Sequence, residues 1–337
     1  MPLAVGNDVY GGTRRGAMRR DVARDPAYLY VPDSTGTTTT VIDQRTRRVV
    51  RVIHSGLLSQ HVTPSYDMRT LYVDASGANA LVAINPRTAR VERRYPVPRP
   101  YNLYFTPDGG TAIVMVEEYN QIRFVDPRTF KGHDVLTPRG CDGPNHADFS
   151  ANGRWFVVTC EFSGTLLKIS TTTHRVVGRV SLGPTSKPQD VRIAPDGTRF
   201  FVAEMDRDRV TMVDARTLRP VGSIATPSMP HGLMPSRDGR FLYVSDRGAG
   251  KISVVSFARR RIVDTWTIPG GGSPDMGAVS ADGRMLWVSG RYNGEVYGFD
   301  TRTGRLAARI AVGGSPHGLA VWPQPGRYSL GHTGNTR

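Results

Sequence analysis

Residues 230–256 read PHGLMPSRDGRFLYVSDRGAGKISVVS, and this stretch decides the fold. Its three short apolar segments, GLMPS, FLYVS and KISVVS, are rich in β-branched and aromatic residues, and an Asp-Gly pair separates the first two. Such a pair between short apolar segments is typical of a β-hairpin turn. With RIVDTWTI (261–268) as a fourth segment, the stretch predicts four antiparallel strands, labelled A to D in chain order. Four such strands make one blade of a β-propeller.

The same pattern recurs along the whole chain at intervals of 41 to 44 residues. The last valine of each B segment marks the repeat: Val31, Val73, Val114, Val158, Val202, Val244 and Val288. Twelve residues after each valine, a turn residue ends the C segment: Asp43, Asn85, Asp126, Ser170, Asp214, Ser256 and Asp300. No segment has the periodicity of an amphipathic helix. The sequence therefore predicts an all-β, seven-bladed β-propeller with four antiparallel strands per blade.

The two ends of the chain complement each other. The N-terminal unit lacks an A strand and residues 317–322 supply a spare one, so we expect the C-terminal A strand to join the N-terminal blade and close the ring. This divides the chain into an N-terminal extension (1–24), the propeller (25–322) and a C-terminal tail (323–337). GRYSLG (326–331) repeats the B pattern once more than seven blades need. Either the tail or residues 1–25 crosses a face of the ring.

Charge and composition narrow the function classes. The 337 residues carry a formal net charge of +15, but the arginines are spread through turns and strand edges, which favours a solvated basic surface over a nucleic-acid site. No apolar run is long enough for a signal peptide or a membrane span, so we expect a cytoplasmic monomer without a membrane partner. Two cysteines are too few for a disulfide scaffold and fit a reducing compartment.

Polar side chains concentrate where the A strands begin and the B strands end, which is one face of a propeller, around the channel mouth. The first aligned A-strand position holds Gln60, Tyr101, Asn145, Gln189, His231, Asp275 and His317. The next position holds His61, Asn102, His146, Asp190, Gly232, Met276 and Gly318. The B-strand ends carry Asp33, Ala75, Val116, Cys160, Glu204, Asp246 and Gly290, followed in three blades by Glu117, Glu161 and Arg291. Four of the eight histidines thus share one rim.

Histidine beside carboxylate supplies a proton-transfer group and a charge that orients it. His231, Asp275 and His317 start three consecutive blades, so we expect them to be neighbours, with the two histidines as base and acid. His146 and Asp190 are further catalytic candidates. The expected substrate-binding residues are His61, Tyr101, Asn102, Asn145, Gln189, Glu204, Asp246 and Arg291. The alternative is structural, because a histidine at this position can brace the D–A turn through a backbone carbonyl.

A metal ion is a second chemical interpretation. The sequence requires no cofactor, yet facing histidines and carboxylates are compatible with a divalent metal ion, and Cys141, His146 and Cys160 lie on the same face of one blade. No compact spacing of metal ligands supports that site. The two cysteines are alternatively inert, or a disulfide that pins the loop of Cys141.

The repeated pattern P-H-G-L, S-x-D-G-R-x-L-Y-V-S-D and I-S-V-V resembles the YVTN/YncE-type propeller repeat over about residues 25–322. The name-giving motif is present in altered form, as in YVSD (243–246) and WVSG (287–290). Similar repeats are found in the streptogramin lyases and the lactonases. The resemblance implies a lyase, isomerase or hydrolase acting on a small polar or lactone-like substrate. The alternative is a non-catalytic module that binds protein, glycan or nucleic acid.

Overall fold

A computed structural model describes residues 8–332 and 334–337, which form seven antiparallel sheets arranged in a ring. Each sheet contains one four-stranded blade, and one of the seven is extended to six strands by the C-terminal hairpin. The innermost A strands are β28 (Ala320–Trp322), β4 (Ser59–Pro64), β8 (Asn102–Phe105), β12 (Pro144–Phe149), β16 (Pro188–Ile193), β20 (Pro230–Pro235) and β24 (Pro274–Val279). The B strands are β1 (Tyr28–Pro32), β5 (Leu71–Ala75), β9 (Ala112–Val116), β13 (Trp155–Cys160), β17 (Arg199–Glu204), β21 (Phe241–Asp246) and β25 (Met285–Gly290).

The two outer strands complete each blade. The C strands are β2 (Thr38–Asp43), β6 (Ala80–Asn85), β10 (Gln121–Val125), β14 (Thr165–Ser170), β18 (Arg209–Asp214), β22 (Lys251–Ser256) and β26 (Glu295–Asp300). The D strands are β3 (Val49–His54), β7 (Arg90–Pro96), β11 (Gly132–Leu136), β15 (Val176–Ser181), β19 (Pro220–Ala225), β23 (Arg261–Thr267) and β27 (Leu306–Ala311). Short 3-10 helices cover Gly11–Thr13, Ser76–Ala78, Glu117–Tyr119 and Met205–Arg207. No helix of the described residues is long and apolar enough to cross a membrane.

The repeated turns form for the local reasons that the sequence indicates. In the turn before β21, the Ser236 hydroxyl donates to Asp238 Oδ1 at 2.6 Å, and Gly239 adopts a φ of +62° that favours glycine. After β26, Asp300 Oδ1 accepts the backbone N–H of Arg302 at 3.0 Å and of Thr303 at 2.8 Å. The predicted seven blades of four strands are confirmed.

The core lies between adjacent blades, because each sheet packs its faces on its neighbours. The A strand β24 is buried along its whole length, whereas five of the seven residues of the D strand β23 are exposed. One apolar cluster joins Tyr243 and Trp266 of one blade to Leu286 and Phe299 of the next. The buried A strands are the innermost strands of the blades, and their first residues position most of the site.

The ring closes as predicted, since β28 pairs antiparallel with β1 through Trp322 opposite Tyr28. The tail that the sequence left unplaced then enters the channel as a hairpin of β29 (Ser329–Gly331) and β30 (Asn335–Thr336). Gly331 pairs with Tyr104, so β29 adds an inner strand to the third blade. The repeat of the B pattern at 326–331 is thus not an eighth blade.

Cys141 and Cys160 form a disulfide across 19 residues of chain, within a single blade. This settles the alternatives for the two cysteines and overturns a metal site built from Cys141, His146 and Cys160, because neither sulfur is available as a thiolate. The expectation of a reducing compartment loses its support as well, since disulfides persist in oxidising compartments.

Candidate functional site

Five histidine rings converge in the central channel. His61, His146, His231 and His317 come from A-strand starts, and His332 comes from the tip of the C-terminal hairpin. The ring centroid of His61 lies 4.5 Å from those of His317 and His332, and that of His146 lies 6.0 Å from that of His231. All five side chains are buried. The channel wall is therefore polar and rich in imidazole.

The carboxylate of Asp275 is the centre of this wall. Its Oδ2 lies 2.6 Å from Nδ1 of His317, and its Oδ1 lies 2.9 Å from Nδ1 of His231. Nδ1 of His231 also lies 3.0 Å from Sδ of Met276. Because an ionised carboxylate and a thioether sulfur only accept hydrogen bonds, both Nδ1 atoms carry the proton and both Nε2 atoms are left unprotonated. The three residues that the sequence predicted as neighbours are in direct contact.

Two arginines lie against this carboxylate. Nε and Nη2 of Arg247 donate to Asp275 Oδ1 at 3.0 and 2.7 Å, and Nη1 of Arg291 lies 3.6 Å from Oδ2. Arg247 also donates to the hydroxyl of Tyr292 at 3.1 Å. The Arg247 and Asp275 side chains are buried, whereas the Arg291 side chain is 23% exposed and Tyr292 is 63% exposed. A positive path therefore leads from the rim to the carboxylate.

Tyr101 connects the two halves of the histidine cluster. Its hydroxyl lies 3.3 Å from Nε2 of His317, and its backbone carbonyl accepts a hydrogen bond from Nδ1 of His61 at 2.7 Å. His61 is therefore the Nδ1–H tautomer, with a lone pair on Nε2. A hydroxyl–imidazole–carboxylate relay therefore runs through the side chains of Tyr101, His317 and Asp275.

Burial sets the charge states of these groups. It lowers the pKa of His231 to about 4 against the opposing effect of Asp275, and it lowers the pKa of His317 well below its usual range. Burial alone would raise the pKa of Asp275, but Arg247, His231 and His317 outweigh it and hold that pKa well below the usual value. Two neutral histidines thus share one ionised carboxylate at neutral pH.

A pair of glutamates, Glu117 and Glu161, lies beside this cluster. The Asn145 side-chain N–H group donates to Glu117 Oε1 at 2.9 Å and to Glu161 Oε2 at 2.6 Å. Burial, together with the neighbouring charge of Glu161, raises the pKa of Glu117 to about 8. Asn102, by contrast, donates to the backbone carbonyl of Asn145 at 3.3 Å and joins two A strands.

The remaining predicted residues serve the blades themselves. Asp190 accepts the backbone N–H groups of Val191 and Leu233 at 2.9 and 3.0 Å, and burial raises its pKa to about 6. Asp246 accepts from the Ser253 hydroxyl at 2.7 Å. The others have local partners: Glu204 binds Arg209 and Thr211, and Gln189 donates to the Lys187 carbonyl. These contacts favour structural roles for Asp190, Glu204, Asp246 and Gln189.

Sequence reasoning missed His332 and Arg247. His332 lies outside the repeat, and its only signal was the surplus B pattern just before it. Arg247 directly follows Asp246, the last residue of β21, and it is the arginine, not the aspartate, that lies beside Asp275. For a metal ion, the nearest set is His61, His146 and His332, whose ligand atoms all lie within 4.8 Å of one another.

Comparison with known proteins agrees with this architecture. The sequence model of the family described as YNCE-like beta-propeller matches residues 21–325. The uncharacterized protein YncE of Salmonella typhimurium strain LT2 is 25% identical over 264 residues, which cover 74% of this chain and 73% of that protein. Among solved structures, Kuenenia stuttgartiensis hydrazine synthase has a TM-score of 0.71 at 18% identity, over 82% of this chain and 92% of that one. The dihydro-heme d1 dehydrogenase NirN in complex with DHE has a TM-score of 0.67 at 14% identity, over 90% and 77% of the two chains. At these identities the solved structures support the fold alone.

Proposed function

Because the chain belongs to the YNCE-like β-propeller family, we propose that it uses the mouth of its central channel as an enzyme site, in which His231 and His317 carry out acid–base chemistry on a small polar or lactone-like molecule. The observation that carries the proposal is the pairing of one buried carboxylate, Asp275, with Nδ1 of two histidines from different blades. A purely structural histidine needs one acceptor, whereas here two imidazoles share one charge through Nδ1, which leaves Nε2 of each ring unprotonated.

The arrangement supports proton transfer at neutral pH. With Nδ1–H directed at Asp275, the Nε2 atom of His317 accepts a proton from a substrate or from water, and the carboxylate stabilises the imidazolium that results. The Tyr101 hydroxyl, 3.3 Å from that Nε2, gives its proton to an oxygen that gains negative charge and takes one back from the His317 imidazolium, which restores both groups. Elimination, ring opening and isomerisation all need this pair of transfers.

The arginines favour an acidic or carbonyl-rich substrate. Arg291 on the rim and Arg247 beside Asp275 supply two positive charges, of which the carboxylate balances one. A carboxylate, a phosphate or a lactone carbonyl would meet the remaining charge on its way to His317. Burial of the site restricts the reacting part of the substrate to a small group.

The proposal is tested with lactone hydrolysis, using dihydrocoumarin as the probe. We expect the wild-type protein to open the lactone faster than buffer does, and His317→Asn to lose about 100-fold or more of the rate. Tyr101→Phe removes only the hydroxyl and should lose rate without loss of fold. His133→Ala, on the exposed strand β11, is the matched control. No turnover above buffer, or equal rates in wild type and His317→Asn, would contradict the proposal.

A non-catalytic binding role is the second candidate, and the net charge of +15 favours a nucleic-acid ligand for it. Tyr292 and Arg291 on the rim offer an exposed ring and a cation, which single-stranded nucleic acid uses for stacking and phosphate contact. Fluorescence polarisation of a labelled single-stranded oligonucleotide should then fall with salt and weaken in Arg291→Ala. Absence of binding at low salt rules this candidate out.

A further inference from the structure

Three histidines from three separate parts of the chain meet at the inner end of the channel. His61 lies on β4, His146 lies on β12, and His332 lies between β29 and β30. Their ligand nitrogens are all within 4.8 Å of one another, and all three residues are buried. We propose that His61, His146 and His332 form a binding site for a divalent transition-metal ion. This site is distinct from the acid–base pair, because the histidines paired with Asp275 are His231 and His317.

Several ring nitrogens of His61 and His146 lack hydrogen-bond partners within the described part of the chain. Nε2 of His61 and both ring nitrogens of His146 are buried and have no hydrogen-bond partner among the described residues. A buried polar atom without a partner costs free energy, so native proteins rarely keep several together. A metal ion between the rings would give His61 and His146 the missing contact.

A second argument is the orientation of His61. Its Nδ1 donates to the Tyr101 carbonyl at 2.7 Å, which fixes the ring and leaves the lone pair of Nε2 as the atom that can bind a metal ion. Metal-binding histidines almost always donate their second ring nitrogen to a carbonyl or carboxylate in this way. The outer contact that a metal site needs is therefore built into the blade.

The C-terminal hairpin that carries His332 is fixed at both ends. A Cβ atom on Gly331 would lie 2.2 Å from Cδ1 of Tyr104, so only glycine lets β29 approach β8 this closely. At the other end of the hairpin, Arg337 donates to Asp148 Oδ1 at 2.8 Å, with both side chains fully buried. The His332 ring is held 4.5 Å from the His61 ring and 4.9 Å from the His146 ring.

The donor set selects the class of metal. Three imidazoles suit zinc, cobalt, nickel, copper or iron, whereas calcium and magnesium prefer oxygen. Zinc–nitrogen bonds of about 2.0–2.1 Å place tetrahedral ligands about 3.4 Å apart, so the rings need only small rotations to close on the ion. Three protein ligands would leave a fourth position open to water or another small ligand.

The test is titration of the chelator-treated full chain with Co²⁺, followed by displacement with Zn²⁺. We expect one equivalent of Co²⁺ per chain with a visible ligand-field band that Zn²⁺ removes. His332→Ala and His146→Gln should each weaken binding by about 100-fold or more. His54→Ala, an exposed histidine on β3, is the control and should bind as wild type does.

Two further readouts separate the outcomes. Tyr101→Phe keeps the carbonyl that orients His61 and removes the hydroxyl of the acid–base relay, so it should bind Co²⁺ normally even where lactone turnover is lost. Circular dichroism of each variant excludes loss of fold as the cause of weaker binding. Failure of the wild type to bind Co²⁺, or binding that His332→Ala leaves unchanged, would overturn the metal site.

Discussion

Replacing Asp275 with asparagine keeps the shape of the side chain and removes its charge. Arg247, whose side chain is 7% exposed, then keeps a buried positive charge, and His231 and His317 lose a charged acceptor. Breaking a buried ion pair on one side costs about 3–5 kcal/mol. With an unfolding entropy of about 2.1 cal/mol/K per residue, a chain of this length has about 0.7 kcal/mol/K in total, so Tm should fall by about 4–7 °C.

The assay is thermal and guanidinium unfolding followed by circular dichroism at pH 7. Asp206→Asn is the matched control, because this exposed aspartate lies in the short helix Met205–Arg207 and its loss should cost less than about 0.5 kcal/mol. Adding Arg247→Met to Asp275→Asn should recover part of the loss, since it removes the charge left unpaired. Unfolding of Asp275→Asn within about 1 kcal/mol of the wild type would refute the ion-pair reasoning.

Three other predictions concern parts of the ring outside the Asp275 cluster. Burial raises the pKa of Asp246 to about 8, so the free energy of unfolding of the wild type falls as pH rises from about 4 to 8. Relative to the wild type, Asp246→Asn should become more stable by up to about 1.4 kcal/mol per pH unit over this range, as measured by urea unfolding. A difference between the two proteins that stays constant with pH would contradict this. Reducing the Cys141–Cys160 disulfide, or replacing both residues with serine, should cost about 3 kcal/mol for a loop of this length, and unchanged unfolding would show that the bond does not form. Arg337→Ala removes the guanidinium that is paired with the buried Asp148 carboxylate, so hydrogen exchange of the hairpin amides should rise by about 100-fold or more; unchanged protection would refute the anchor.

The sequence predicted the fold because one repeat spacing runs through the whole propeller. A fixed offset of twelve residues between the B-strand valine and the C-strand turn residue leaves little choice of register, and Asp43 and Asp300 end β2 and β26 as expected. The seven-blade ring also predicted that His231, Asp275 and His317 are neighbours, because equivalent positions of consecutive blades adjoin at the channel.

The repeat spacing did not predict residues that lie outside the blades or residues whose contacts differ from blade to blade. The C-terminal hairpin belongs to no blade, so its placement depends on the Gly331 approach to Tyr104 and on the Arg337 pair, which have no signature in sequence. Asp190 has the aligned position of His146, yet its short carboxylate bonds backbone N–H groups of Val191 and Leu233. Alignment gives the location of a residue, while its partners decide its role.

Nitrogen-15 NMR of the histidine rings at pH 7 tests the central claim most directly, because it reports the proton on each ring nitrogen. For His231 and His317 we predict neutral rings with the proton on Nδ1, which lies 2.9 and 2.6 Å from Asp275, and an unprotonated Nε2. Asp275→Asn should shift both rings away from this state, and the exposed His54 should not change. Rings protonated on Nε2, or both rings unchanged in Asp275→Asn, would contradict it.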